Sequence, residues 1–186
     1  MFLIVVENVR PQSAIPPGER PWFSAIPESW RWPLIDATGR FSIHDPNTAA
    51  FAFTRGLTSL VFILIALVTA HRASRSTDTT VWLQGAFLTL AWFWLLAPTQ
   101  NPWYWTWALP LLPFARGRAW LALSGLVLLY YLRFWLAYHR ADTLVAGTTY
   151  AGTLYFDFVV TWIEFAPWFA WLAIDSWLQR RTAAEA

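Results

Sequence analysis

From Ala49 onward the chain reads as long apolar runs broken by short polar or basic interruptions, whereas Glu7 to Ala50 mixes aromatic, charged and proline residues without a sustained period. The longest uncharged run, Thr79 to Ala115, would make a helix of roughly 55 Å at about 1.5 Å per residue, against a hydrocarbon core of about 30 Å. One span cannot absorb it, so the chain must turn back within it. Pro98-Thr99-Gln100-Asn101-Pro102 is the polar, proline-punctuated place to do so, because proline withholds a backbone donor and the two amides can face water. The pattern predicts five spans: Ala49 to Ala70, Thr80 to Ala97, Trp103 to Ala115, Ala119 to Tyr138, and Leu154 to Leu178. The third is short and weakened by Pro110 and Pro113, so it needs a thinned bilayer or shelter from its neighbours.

The fold class expected is therefore an all-α integral membrane protein with about five transmembrane helices and a proline-rich extracytoplasmic loop. Residues 1–50 form a helix stub and that loop, residues 51–181 the bundle, and residues 182–186 a disordered tail. The opening Met1-Phe-Leu-Ile-Val-Val6 is too short for a signal-peptide core or a span. It reads either as a membrane-surface anchor or as the stub of a helix in a longer protein. In the loop, Pro27-Glu28-Ser29-Trp30 can open one short surface helix. There Trp22, Phe23, Trp30, Trp32 and Phe41 alternate with Arg20, Glu28, Arg31, Asp36 and Arg40. Two readings stay open for this alternation: a loop lying on lipid headgroups, or a platform for a sugar or lipid phosphate.

Composition removes several function classes. Hydrophobic residues make up 57% of the chain and charged residues 13%, about half the share of a soluble domain, and there are 15 tryptophans. No cysteine is present, which excludes disulfides, thiolate metal sites and thiol nucleophiles. The net charge of +2 comes from scattered arginines with no lysine, so no nucleic-acid surface is indicated. Arg72/Arg75, Arg116/Arg118 and Arg180/Arg181 fall in alternate loops, and the positive-inside rule then places all three in the cytoplasm of a bacterial inner-membrane protein. The loop 7–50, the Asn101 turn and the loop from His139 to about Thr153 face outside.

Within the spans, ionisable residues are costly and mark pairs or sites. Arg133 and Glu164 fall at similar depth in adjacent antiparallel spans, which predicts an ion pair or, alternatively, an Arg133 that binds a lipid phosphate with Glu164 positioning it. Asp157, seven residues before Glu164, shares its helix face and would line the same cavity. His139, Arg140 and Asp142, like His44-Asp45, are read as interfacial residues, since one histidine with one carboxylate is weak metal-site chemistry. Trp92, Trp94, Trp103, Tyr104, Trp105 and Trp107 suit an interfacial aromatic belt; their faces also suit stacking on a sugar, whose hydroxyls Gln100 and Asn101 could pair.

Ala97-Pro-Thr-Gln-Asn-Pro-Trp-Tyr104, followed by Trp107-Ala-Leu-Pro110, resembles the S-P-x-x-[HN]-P-W-Y … W-x-x-P signature of multipass GT-C fold glycosyltransferases, notably mannosyltransferase-like members of bacteria and archaea. Val6-Glu-Asn-Val-Arg-Pro11 and Pro27-Glu-Ser-Trp-Arg31 more loosely resemble the outer loop before the last helices of that family. The resemblance implies transfer of a hexose such as mannose from a polyprenyl-phosphate donor on the extracytoplasmic side, with Asn101, Trp103 and Tyr104 as matched positions. The family's catalytic acid lies in a first outer loop that has no counterpart here, so the expectation is a C-terminal portion, inactive alone, whose partner is the missing N-terminal half or another subunit. The substrate-binding set expected is Gln100, Asn101, Trp103, Tyr104, Arg133 and Glu164, with catalytic residues unassigned. No cofactor is indicated, and a divalent metal, though compatible with such chemistry, is called for by no pattern in the chain. The competing expectation is a non-catalytic multipass subunit or scaffold that binds a partner bundle or lipid; a small transporter would show two related halves with broken helices, and no such repeat is seen.

Overall fold

In the computed structural model, residues 2–39, 41 and 43–185 are described, without the side chains of 179, 180 and 182–185. Met1 of the stub, Arg40 of the loop, Ala186 of the tail and the side chain of Arg180 lie outside the described residues. Helices dominate. Helix α1 (Phe2–Val9) and helix α2 (Glu28–Gly39) precede α3 (Pro46–Ser74) and α4 (Thr79–Leu96), and the four-residue α5 (Pro102–Trp105) follows. Two further long helices close the chain, α6 (Ala119–His139) and α7 (Gly152–Leu178), the latter continuing as helix to Glu185 through most of the expected tail. Among the described residues the only β-pairing is a single bridge between Leu144 and Ala151.

Local chemistry sets the boundaries. Asp45 caps α3 by accepting from the Thr48 amide at 2.8 Å and its hydroxyl at 2.7 Å, with Pro46 at the first helical position. These bonds hold the Asp45 carboxyl below its usual range. Asp78 caps α4 in the same way through the Thr80 amide at 2.8 Å. Ala97 is pushed into extended backbone ahead of Pro98, and α4 stops there. The hairpin of α3 on α4 is closed by the Thr69–Thr89 hydroxyl contact at 3.1 Å and by Gly85, which packs beside Thr69 and Ala73.

The protein is an all-α, multipass membrane protein, with four helices among the described residues long and apolar enough to span: α3, α4, α6 and α7. The expected third span, Trp103 to Ala115, is not a helix of spanning length. It is α5, a turn, and a 3₁₀ stretch at Leu109–Phe114. Pro110 and Pro113 deny the amides that an α-helix would use there, and the tighter 3₁₀ path tolerates their loss. No residue of Leu109–Phe114 is itself buried; Leu111 and Leu112 lie against one side of the main core, formed by Phe87, Trp94, Trp105, Trp120, Leu123, Phe165 and Trp168. Its buried indoles find acceptors: Trp105 Nε1 donates to Ser124 Oγ at 3.1 Å, Trp94 Nε1 to the Asn101 carbonyl at 3.1 Å, and Trp168 Nε1 to the Ala119 carbonyl at 2.7 Å.

The N-terminal segment is packed rather than loose. Phe2, Val6 and Val9 of α1 meet Ile35 of α2 and Ala49 and Ala50 of α3 in a second core. Helix α2 opens at Glu28 as the Pro27-Glu28 pattern predicts, and it accommodates Pro33 in its middle. Two 3₁₀ turns, Gln12–Ala14 and Pro17–Glu19, connect α1 to the extended residues before α2.

Candidate functional site

The Pro98 turn forms one wall of a cleft of about 460 Å³ between the α3–α4 hairpin and α5. Helix α3 contributes Arg55, Thr58, Ser59 and Phe62; α4 contributes Phe93 and Leu96; Ala97, Pro98, Thr99, Tyr104 and Trp107 complete it. Its two ends differ in character. Arg55, Ser59, Thr99 and Tyr104 present polar groups near the turn, while Phe62 and Phe93, in edge contact at 5.7 Å, line the path towards the membrane interior. Tyr104 is itself held between Trp103 at 5.9 Å and Trp107 at 5.2 Å.

Arg55 is the cation of this cleft. Among the described residues its guanidinium has no carboxylate within ion-pair distance. Among the described residues lining the cleft there is also no aspartate or glutamate. A cation on an apolar helix with only hydroxyls nearby is suited to an anionic oxygen from outside the chain.

The other residues singled out from the sequence do not converge there. Tyr104 lines the cleft, with Trp103 half exposed at its rim. Asn101 precedes α5 and offers its carbonyl to Trp94, without a side-chain cap. Gln100 turns inward, donating to the Leu95 carbonyl at 2.9 Å, and shares with Glu164, Tyr130 and Thr161 a separate cavity of about 30 Å³, room for a water molecule. Glu164 is buried there.

Arg133 does not pair with Glu164. Its Nε and Nη2 meet the two carboxylate oxygens of Asp157 at 3.1 and 3.3 Å. The reason lies in α7, which widens into a π-helical stretch at Phe156–Val160. An i to i+5 turn breaks the seven-residue register that would have aligned Asp157 with Glu164, so Asp157 meets Arg133 while Glu164 lines the small cavity with Val127 and Tyr130 of the same helix α6. One shared lining is therefore not formed. His139 stacks on Trp135 at 5.0 Å, and Asp45 serves as a helix cap.

Compared with known proteins, the chain matches no family model, no curated protein and no solved structure. The chemistry of the site therefore rests on its own geometry. Arg55 stands in the first turns of the span that opens at Ala49, and a lone charge one helical turn before Ser59 on an otherwise apolar run is the signal the sequence offers for it. Phe62 and Phe93 carry no such signal, because most aromatics of these helices face lipid or core.

Proposed function

We propose that this chain is a portion of a membrane-embedded, GT-C-like glycosyltransferase that handles a polyprenyl-phosphate-linked hexose at the extracytoplasmic face of a bacterial inner membrane. The observation that carries the reading is the cleft in which Tyr104 and Trp107, from the stretch resembling the family signature, face Arg55 across an apolar slot. Arg55 supplies a bidentate partner for a phosphate, Phe62 and Phe93 suit the isoprenoid chain, and Tyr104 and Trp107 offer ring faces to a sugar. No catalytic acid or base is assigned, since the described lining holds no carboxylate, and the acid would come from another part of the enzyme.

The rival reading, a scaffold for a partner bundle, draws no support from the outward leucines of α3, because lipid alone accounts for them. The test is photolabelling of the purified chain in lipid nanodiscs with a diazirine-bearing polyprenyl phosphate. Label should map to residues 55–62 and 93–107, and Arg55→Gln should reduce it about tenfold or more, the worth of a charge-assisted phosphate contact. Equal labelling in the variant, or label scattered over all four long helices, would remove the proposal.

A further inference from the structure

The segment of residues 20–39, with Phe41 beyond it, is built inside out for a loop in water. Arg31 of α2 is only 2% exposed, and its guanidinium is spent on internal acceptors: the Ile26 carbonyl at 2.7 and 2.8 Å, the Arg10 carbonyl at 3.0 Å, and the Ser24 hydroxyl. Asn8 likewise turns its side chain inward, donating to the Ile4 carbonyl at 2.8 Å and accepting from the Ala25 amide at 2.6 Å. The large rings point the other way. Trp22 is 59% exposed, Phe23 42%, Trp30 69% and Phe41 79%. A water-facing segment of this length would do the reverse.

Two places show what covers the rings. Trp22 donates its indole N–H to the Phe158 carbonyl in the π-helical stretch of α7, which leaves only apolar ring surface outward. Trp22 and Phe23 then pack on Trp162 of the same spanning helix at 6.2 and 5.3 Å, so their exposed faces continue the lipid-facing side of α7. At the other end, Phe41 borders a groove of about 380 Å³ on α3 with Ile43, Phe53, Gly56, Leu57 and Leu60. Its one hydroxyl, on Thr38, is already spent on the Ile35 carbonyl at 2.6 Å, so the groove offers a polar ligand nothing and an acyl chain a fitting trough. Leu57 and Leu60 continue directly into the outward Leu64 and Leu67 of the span.

We infer that residues 20–39 and Phe41 form a collar embedded in the lipid leaflet, with Trp22–Phe23 and Phe41 in contact with acyl chains and α2 lying at the headgroup boundary, where Asp36 reaches water. The collar is independent of any sugar chemistry. The native chain has no cysteine, so single cysteines can be introduced without background. Phe23→Cys and Phe41→Cys would be spin-labelled in phosphatidylethanolamine/phosphatidylglycerol nanodiscs, with Leu64→Cys as the lipid reference and Thr77→Cys, in the α3–α4 turn, as the water reference. The readout is the ratio of collision with oxygen to collision with a nickel chelate. Labels at 23 and 41 should give ratios nearer to that of Leu64 than to that of Thr77, as expected for rings held about 5–10 Å into the boundary. A ratio at either site nearer to that of Thr77 than to that of Leu64 overturns the collar.

Discussion

A guanidinium inside an apolar helix needs two oxygens in one plane, and Arg133 finds them in Asp157. The pair is not sealed, since the Arg133 side chain remains 33% exposed and that of Asp157 16%. Losing one partner should therefore cost less than the 3–5 kcal/mol of a fully buried pair; we expect about 1–2 kcal/mol for Asp157→Asn, seen as a lower unfolding midpoint in detergent. Arg133→Gln with Asp157→Asn should recover part of that loss, and additive effects would mean the two do not interact. Away from the spanning helices, Glu28 and Glu7 pull stability in opposite directions with pH. Burial raises Glu28, but the amides of Gln12 and Ser13, the Ser13 hydroxyl and Arg31 outweigh it and hold the carboxyl below 4.5. That contribution is present above the unfolded value and is lost as pH falls through the lowered one. Glu7 is raised by burial, against the pull of Arg10 at 2.5 Å, so its burial favours the fold at low pH and weakens it as pH rises through the raised value. Acidification below about pH 4 should loosen the 12–28 contact to limited proteolysis in the native chain and far less in Glu28→Gln. Equal sensitivity of both would refute the assignment to Glu28.

At the scale of elements, what was legible in the sequence followed from what each element needs. The four spanning helices and the helix opening at Glu28 rest on apolar runs and on proline at a helix start, and both are local properties. The third pass was visible as a pass but not as a 3₁₀ stretch, because its path depends on how Leu111 and Leu112 settle against a core that only the folded bundle supplies. The π-helical stretch left no mark on the apolar pattern at all, and with it went the partner of Arg133 and the shared cavity. Of the candidate site, Tyr104 and Trp107 were legible as part of an aromatic cluster, whereas Arg55 and Phe62 join them only through the α3–α4 hairpin. That hairpin is itself testable at Gly85, where an added Cβ would meet the Thr69 carbonyl at 3.6 Å, an ordinary contact. Gly85→Ala should be neutral or raise stability by up to about 1 kcal/mol through helix propensity. Gly85→Leu should cost about 1–3 kcal/mol by forcing the helices apart, and tolerance of leucine would mean the two do not pack as described.

For the whole molecule, the irregular third pass decides which loops share an end. Trp120 of α6 packs on Phe87 of α4 at 5.3 Å, while Val127 and Tyr130 reach the level of Trp94 and Gln100, so α6 runs parallel to α4. The chain must therefore return between Asn101 and Ala119, which puts Arg116 and Arg118 on the Thr79 side of the bundle, beside the α3–α4 turn with Arg72 and Arg75. The Asp175 carboxylate accepts from the Ala119 amide at 3.2 Å, so the end of α7, where Arg181 lies over Trp177 at 3.8 Å, joins that side too. At the opposite end, Tyr150 donates to the Arg20 carbonyl at 2.8 Å and draws the loop after His139 against the N-terminal segment. A bundle with its basic turns gathered at one end is expected to keep that end in the cytoplasm, because arginine-rich short loops resist translocation. The cysteine-free chain makes the orientation directly measurable in intact cells: Asp142→Cys should react with a membrane-impermeant maleimide added outside, and Thr77→Cys only after the membrane is opened. The reverse pattern would turn the cleft and the collar to the cytoplasmic leaflet, where the extracytoplasmic sugar donor proposed for Arg55 would be on the wrong side. Labelling of both positions from outside would break the shared-end arrangement itself, and with it the return of the chain through the 3₁₀ pass.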